Sequence, residues 1–259
     1  MSRNGLIIEG MARRAAIQFR CASKQLTIET FHLSRGVSLA NLESDMTPPA
    51  FIAFTGVDRL DLVDGLQALS RRYPIEWGLL IDDAQAHKSL FPDAECRAAL
   101  LRSGGLRWAA HVCGAAARAV VEEGDADIDL AGFQRVQINH GFSGSTPAQV
   151  ENAWRFGRRR ALRPVLQCAD PFPADPRVDW LYDVSFGKGL KPRTWPTLDD
   201  AIFCGYSGGI GPETVAEVLA VISAPPGAVY WIDMESAVRS DDRLDLAKCE
   251  AVCRAVYGA

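Results

Sequence analysis

Eight short apolar runs, separated for the most part by helix-like segments, constrain this chain more than any other feature. They lie at 51–55 (FIAFT), 77–81 (WGLLI), 107–112 (RWAAHV), 135–139 (RVQIN), 164–168 (PVLQC), 179–184 (DWLYDV), 201–206 (AIFCGY) and 228–233 (AVYWID). Runs of this length with little polar alternation suit strands covered on both faces, the condition of a parallel sheet under helices. Eight such units predict a closed (β/α)8 TIM barrel of the α/β class rather than an open, doubly wound sheet. The turn after the first run, FTGVD, has a single glycine, so it lacks the Gly-rich turn of a dinucleotide fold.

Helical segments fill most of the gaps. Residues 58–73 place Leu60, Leu62, Val63, Leu66 and Leu69 on one stripe, with Asp58 in the first turn and Arg71 and Arg72 in the last. Further helices are predicted over PDAECRAALLR, GAAARAVVEE, TPAQVENAWRF, GPETVAEVLAVI and DLAKCEAVCRAVY, with Pro147 and Pro212 at first-turn positions. Two units depart from this pattern. Residues 169–178 are too short and proline-rich for a full fifth helix, and 187–200 read as a loop where the sixth belongs. Helices 5 and 6 are therefore expected to be shortened or replaced by loops.

Composition narrows the class of function. With 28 Lys+Arg against 32 Asp+Glu, the formal charge of −4 argues against binding nucleic acid through bulk charge. No run of 18 apolar residues marks a membrane span. The seven cysteines form no C-x-x-C pair, which points to reduced thiols and a cytoplasmic setting rather than a disulfide or zinc framework. Residues 1–49 differ from the rest: they are basic at the start and have no sustained period. They are read as an N-terminal extension, disordered or upstream of the natural start, with Met46 just before the regular pattern begins. Residues 50–259 then form a single barrel domain.

The most specific chemical signal is CGYSGGIGPETVAEVL. A strand ends, Gly208 and Gly209 permit close backbone approach, and a helix starts, so exposed N–H groups can meet an anion. The next strand ends in WIDMESAVRS, which carries Ser236 and Ala237. Loops after strands seven and eight of such a barrel often share one phosphate. A plain Gly-Gly turn capping a helix is the competing reading of the first loop.

From about Phe51 to Tyr257 the chain resembles phosphoribosylanthranilate isomerase, a small TIM barrel of tryptophan biosynthesis. That family carries K-I-C-G-I-T on strand one, V-Q-L-H-G on strand four, an Asp ending strand six, G-G-L-x-P-x-N-V on loop seven and D-V-S-S-G-V-E on loop eight. The matching stretches here are Ala53–Asp58, Val136–Gly141, Leu181–Asp183, Gly208–Val215 and Asp233–Arg239, and Gly187-Lys188-Gly189 echoes a glycine-rich stretch after strand six. The resemblance implies a cofactor-free Amadori rearrangement of a phosphoribosyl amine. An acid protonates the ring oxygen and a base removes the C2′ proton. It assigns the acid to Asp183, which can equally be read as capping the turn that follows.

Three departures matter. The family's catalytic cysteine is Thr55, and an alcohol is a very poor base unless a neighbour activates it. The arginine that meets the anthranilate carboxylate is missing from His87-Lys88-Ser89-Leu90-Phe91, leaving Lys88 without the bidentate fork. The glycine of loop eight is Ala237, and Glu235 beside it would repel a phosphate if it pointed inward. Replacement bases are sought among Asp58, Asp82, Asp83, His111 and His140. His140 is preferred because it follows its strand directly, whereas His111 reads as a core residue and Asp82–Asp83 as a helix-leading turn. Lys88, Gln137, His140 and Lys188 are the candidate substrate contacts.

The leading expectation is an isomerase of a small phosphorylated sugar-type substrate, a monomer or homodimer. The alternative is a non-catalytic barrel that binds such a sugar as a sensor or scaffold, suggested by Thr55. A third reading is a metal-dependent lyase or aldolase using Asp82, Asp83 and Glu235.

Overall fold

The computed structural model describes residues 47–186, 189–198 and 201–258. The reading of the N-terminal extension therefore falls outside the described residues, except at its last three positions. Two of those, Thr47 and Pro49, are tied to the barrel. Thr47 exchanges backbone and hydroxyl hydrogen bonds with Ala224, Pro225 and Gly227, and Tyr257 donates its hydroxyl to the Pro49 carbonyl.

Eight parallel strands close on themselves in chain order: β1 (Phe51–Thr55), β2 (Ile75–Ile81), β3 (Trp108–Val112), β4 (Arg135–Ile138), β5 (Arg163–Cys168), β6 (Asp179–Tyr182), β7 (Cys204–Ser207) and β8 (Tyr230–Met234). Closure is made where β8 pairs β1, with Ala53 beside Asp233. Among the described residues the helices are α1 (Val63–Ser70), α2 (Ala94–Leu101), α3 (Gly114–Glu123), α4 (Pro147–Arg159), α5 (Val215–Ile222) and α6 (Leu246–Tyr257). None follows β5 or β6, as the proline-rich and loop-like stretches led one to expect. The outer faces of β6 and β7 are instead packed by Phe172 and Trp195 against Tyr182 and Tyr206, whose hydroxyls donate to the Thr194 and Pro196 carbonyls at 3.0 and 2.8 Å.

Helix ends explain two local differences. α4 starts as read, with Pro147 in its first turn and a reciprocal capping box between Thr146 and Gln149. α1 is shorter than its apolar stripe, because the segment opens with a 3-10 turn at Leu60–Leu62. Asp58 does not serve the helix start. Its buried carboxylate accepts from Arg59, Arg239 and the Leu244 amide, pinning the loop after β1 to a short ribbon, β9 (Arg239–Ser240) with β10 (Arg243–Leu244). α5 starts three residues after Pro212. The intervening turn is held by Thr214, whose hydroxyl donates to the Gly209 carbonyl and accepts from the Gly211 amide.

The strands read as uniformly apolar because they are covered twice, yet their two faces differ. Outward residues such as Ile52, Phe54, Trp77, Leu79, Trp108, Val136, Trp180, Tyr206 and Ile232 join the core beneath the helices. Inward residues stack in layers up the barrel. At the bottom, Arg135 is paired with Glu76 at 2.8 Å and Asp179 at 3.5 Å and lies 4.3 Å over the Trp231 ring. Above it sit the small residues Ala53, Ala109 and Gly205 with Val165. Trp231 fills the space they leave, occupying the position a side chain on Gly205 would need. The upper layers turn polar, and there the cavity opens.

Candidate functional site

A cavity of about 360 Å³ occupies the C-terminal mouth of the barrel. Its deeper wall is built from inward side chains near the strand ends: Thr55 on β1, His111 on β3, Gln137 on β4, Gln167 on β5, Ser207 on β7 and Asp233 on β8. Asp183, just past β6, and Glu235, just past β8, stand higher in the same wall. This is where side-chain chemistry is expected in such a barrel, because strands deliver alternate residues inward up to the loop junction.

Asp183 is buried and heavily bonded. Its Oδ1 accepts from the Ser185 amide and hydroxyl, both at 2.8 Å, and from the Phe186 amide at 3.0 Å. Its Oδ2 accepts from Gln167 Nε2 at 3.0 Å. The capping role and the cavity position therefore coexist: one oxygen organises the turn after β6, and the other carries a single protein donor.

Thr55 donates its hydroxyl to Asp233 Oδ1 at 2.8 Å and lies 3.4 Å from His111 Nε2. Gly78 of β2 makes this meeting possible. A Cβ built there would lie 2.8 Å from Thr55 Oγ1 and 2.9 Å from His111 Nε2. Burial drives the His111 imidazole down to about 4, so it is neutral near pH 7, and lifts the Asp233 carboxyl to about 6. Glu235 is lifted to about 7, first by burial and then by the neighbouring Asp233 charge. Cys113 also lines the cavity, but burial pushes its thiol to about 11, so it stays protonated and does not replace the missing thiolate.

The loops after β7 and β8 meet on one side. Gly208 and Gly209 have φ of +104° and +64°, and a Cβ on either would press on the chain at Leu190 and Lys191. Gly208, Gly209 and Ser236 line the cavity, and Ala237 lies behind them against Gly211. Among the described residues, no hydrogen-bond acceptor meets the amides of Gly209, Ile210, Ser236 or Ala237. Glu235 does line the cavity, as was feared for an anion site, but with its carboxyl near 7 it is partly neutral at physiological pH.

The remaining candidates separate. Gln137 lines the cavity and donates to Asn139 Oδ1 at 3.1 Å. Lys88 is exposed on a turn outside the cavity lining, and the apolar Leu90 and Phe91 reach the cavity instead. His140 is buried away from the lining. Its Nδ1 accepts from the Phe142 amide at 3.0 Å, Nε2 is 3.0 Å from Ser145 Oγ, and the ring packs on Phe142. Lys188 lies outside the described residues. Asp58 is taken up in its ion pairs. Asp82 accepts from the Ala84 amide to cap a 3-10 turn, so neither it nor the exposed Asp83 joins Glu235 at the cavity. The residue most underrated in sequence was His111. It sits inside the barrel as a core histidine does, yet it borders the cavity. Asp233 was visible as the end of an apolar run, but its pairing with Thr55 was not.

Among the described residues no helix is long and apolar enough to cross a membrane. No protein-family profile matches the chain, and no curated protein sequence does. Solved structures do. N-(5′-phosphoribosyl)anthranilate isomerase from Pyrococcus furiosus superposes with a TM-score of 0.51 at 13% identity, over 81% of this chain and 99% of that one. Phosphoribosyl anthranilate isomerase from Thermococcus kodakaraensis gives a TM-score of 0.48 at 14% identity, over 81% and 99%. At this identity the likeness is one of fold: the chain is an α/β TIM barrel similar in architecture to the Pyrococcus furiosus isomerase.

Proposed function

We propose that the barrel is a cofactor-free aldose–ketose isomerase acting on a phosphoribosyl amine or a related phosphosugar. Asp183 delivers a proton to the ring oxygen, the Thr55 side of the cavity receives the C2′ proton, and the loops after β7 and β8 hold the phosphate. One observation carries the reading: Asp183, the Thr55–Asp233 pair and the glycine-rich loop with unmet amides border a single cavity. Backbone amides bind phosphate without a formal positive charge, which suits a mouth rich in carboxylates. Gln137, and Lys188 from the loop after β6, complete the proposed substrate contacts.

The test is incubation with phosphoribosylanthranilate and with phosphoribosyl amines lacking the carboxylate, following appearance of the enolic ketose amine. Turnover of any of them supports the isomerase. The competing reading, a phosphosugar-binding barrel without catalysis, is favoured by the alcohol at position 55. It predicts thermal stabilisation by phosphosugars with no product even at high enzyme concentration.

A further inference from the structure

We infer that Asp233 is the group that takes the C2′ proton, and that Thr55 is a positioning residue which holds it. This deepens the isomerase reading and rests on it. The argument starts from the direction of the hydrogen bonds. An ionised carboxylate only accepts, so at 2.8 Å the Thr55 hydroxyl must be the donor to Asp233 Oδ1. Its proton thus points to the carboxylate, and its lone pairs are left to accept from His111 Nε2–H, 3.4 Å away. The chain His111, Thr55, Asp233 runs one way, and the carboxylate is its terminal acceptor. Both Thr55 and Asp233 border the cavity, so a substrate carbon resting on the Thr55 wall is within reach of the carboxylate beside it.

Competing acceptors are weaker. The hydroxyl would need a base to activate it, and among the described residues the bases in contact with it are Asp233 itself and neutral His111. His111 Nε2 is turned to the hydroxyl through the gap over Gly78, and the Cys113 thiol stays protonated. The charged and titratable groups around Asp233 come from four other positions: His111 on β3, Arg135 below it on β4, Asp183 after β6 and Glu235 above it. Burial is the first cause that makes Asp233 a stronger base than an ordinary carboxylate.

The step balances within the site. Asp183 gives its proton to the ring oxygen, the C1′–O bond breaks, and the nitrogen lone pair forms C1′=N⁺. Asp233 then removes the proton from C2′. That C–H pair becomes C1′=C2′, and the C=N⁺ pair returns to nitrogen, leaving the enolamine. Proton exchange with solvent restores both carboxyl groups, and no oxidant or metal enters.

The experiment compares wild type, Asp233→Asn, Asp233→Glu, Thr55→Val and Glu235→Gln. It measures turnover of the accepted phosphoribosyl amine, incorporation of deuterium at C2′ in D2O, and the pH profile of kcat/KM, with thermal unfolding to show that each variant folds. Expected for Asp233→Asn is a loss of kcat and of exchange of about 10³-fold with KM changed less than about threefold, partly recovered in Asp233→Glu. Thr55→Val should keep exchange, at a rate lower by about 10–100-fold. Its acid limb should move to higher pH, because the hydroxyl that favours the charged carboxylate is gone. Asp233→Asn at wild-type exchange, or loss of exchange in Glu235→Gln alone, overturns the inference and leaves the isomerase standing. If wild type neither turns over nor exchanges any phosphoribosyl amine, the isomerase reading falls and takes the inference with it.

Discussion

Gly211 and Ala237 meet without room for a second methyl: a Cβ built on Gly211 would lie 2.5 Å from the Ala237 Cβ. The loops after β7 and β8 are thus spaced by one methyl group, contributed from the β8 side. Gly211 does not occupy the left-handed region, so Gly211→Ala tests spacing rather than backbone strain. It should raise Kd for a phosphorylated ligand about tenfold, close to 1.4 kcal/mol. Adding Ala237→Gly should restore most of that loss. Titration calorimetry with inorganic phosphate and a phosphosugar reads both variants, and failure of the second change to rescue the first would refute the spacing argument.

Gly78 keeps Thr55 and His111 in reach of one another across β2. Gly78→Ala should drive both side chains off their positions, lowering kcat about 10–100-fold. Overpacking of this kind should cost about 1–3 kcal/mol. Kinetics together with urea unfolding separates the two effects. Full activity in the variant would show that the Thr55–His111 approach is dispensable.

Asp183→Asn should fold, because an amide oxygen can keep the three donors on Oδ1 while Gln167 flips to accept from the new NH2. Turnover should fall about 10²–10⁴-fold through loss of the proton donor, with phosphate affinity nearly intact. Unchanged turnover would remove Asp183 from the acid role.

Stability should depend on pH through buried groups with opposite signs. Asp233 is raised to about 6, so its contribution is present below about pH 4 and lost as pH rises through 6. His111 is lowered to about 4, so its contribution is present above 6.5 and lost as pH falls through 4. Asp233→Asn removes the first and leaves the second. The variant should therefore gain on wild type at pH 7, by up to about 2–3 kcal/mol, with the gain shrinking towards pH 4.5. Urea unfolding at both pH values measures the difference. An equal gap at the two would contradict a raised Asp233.

At the other end of the barrel, Arg135→Leu should leave Glu76 and Asp179 facing each other in the interior with only the partly exposed Arg107 and Arg163 to compensate. A cost of about 3 kcal/mol is expected. Combining it with Glu76→Gln and Asp179→Asn should recover part of that cost, as thermal unfolding of the single and triple variants would show.

The architecture was legible because it rests on local signals repeated many times. Eight apolar runs of strand length recur between helices, and the strands lie within a few residues of those runs. The two missing helices were announced by proline and by a polar loop. Glycine pairs marked the loop after β7 for the same reason: backbone needing positive φ selects the residue locally. Lys88 and His140 were less legible. Each lies near a strand end in sequence, but Lys88 projects to solvent, while His140 closes on Phe142 and Ser145 three ångströms away. Proximity to a strand end sets the height of a residue in the barrel; the path of the loop decides where its side chain points.

What the chain's order of residues determined by itself is the closed sheet, the small residues that leave space in it and the polar ends of its inward faces. Which of those ends meet was decided by closure. Thr55 and Asp233 are 178 positions apart, and they touch only because β8 returns to pair with β1 in one register. A register slip of β8 by one residue would turn Asp233 outward and leave Thr55 without its partner. No local pattern encodes that pairing, because its energy comes from packing the whole circuit of strands rather than from either segment.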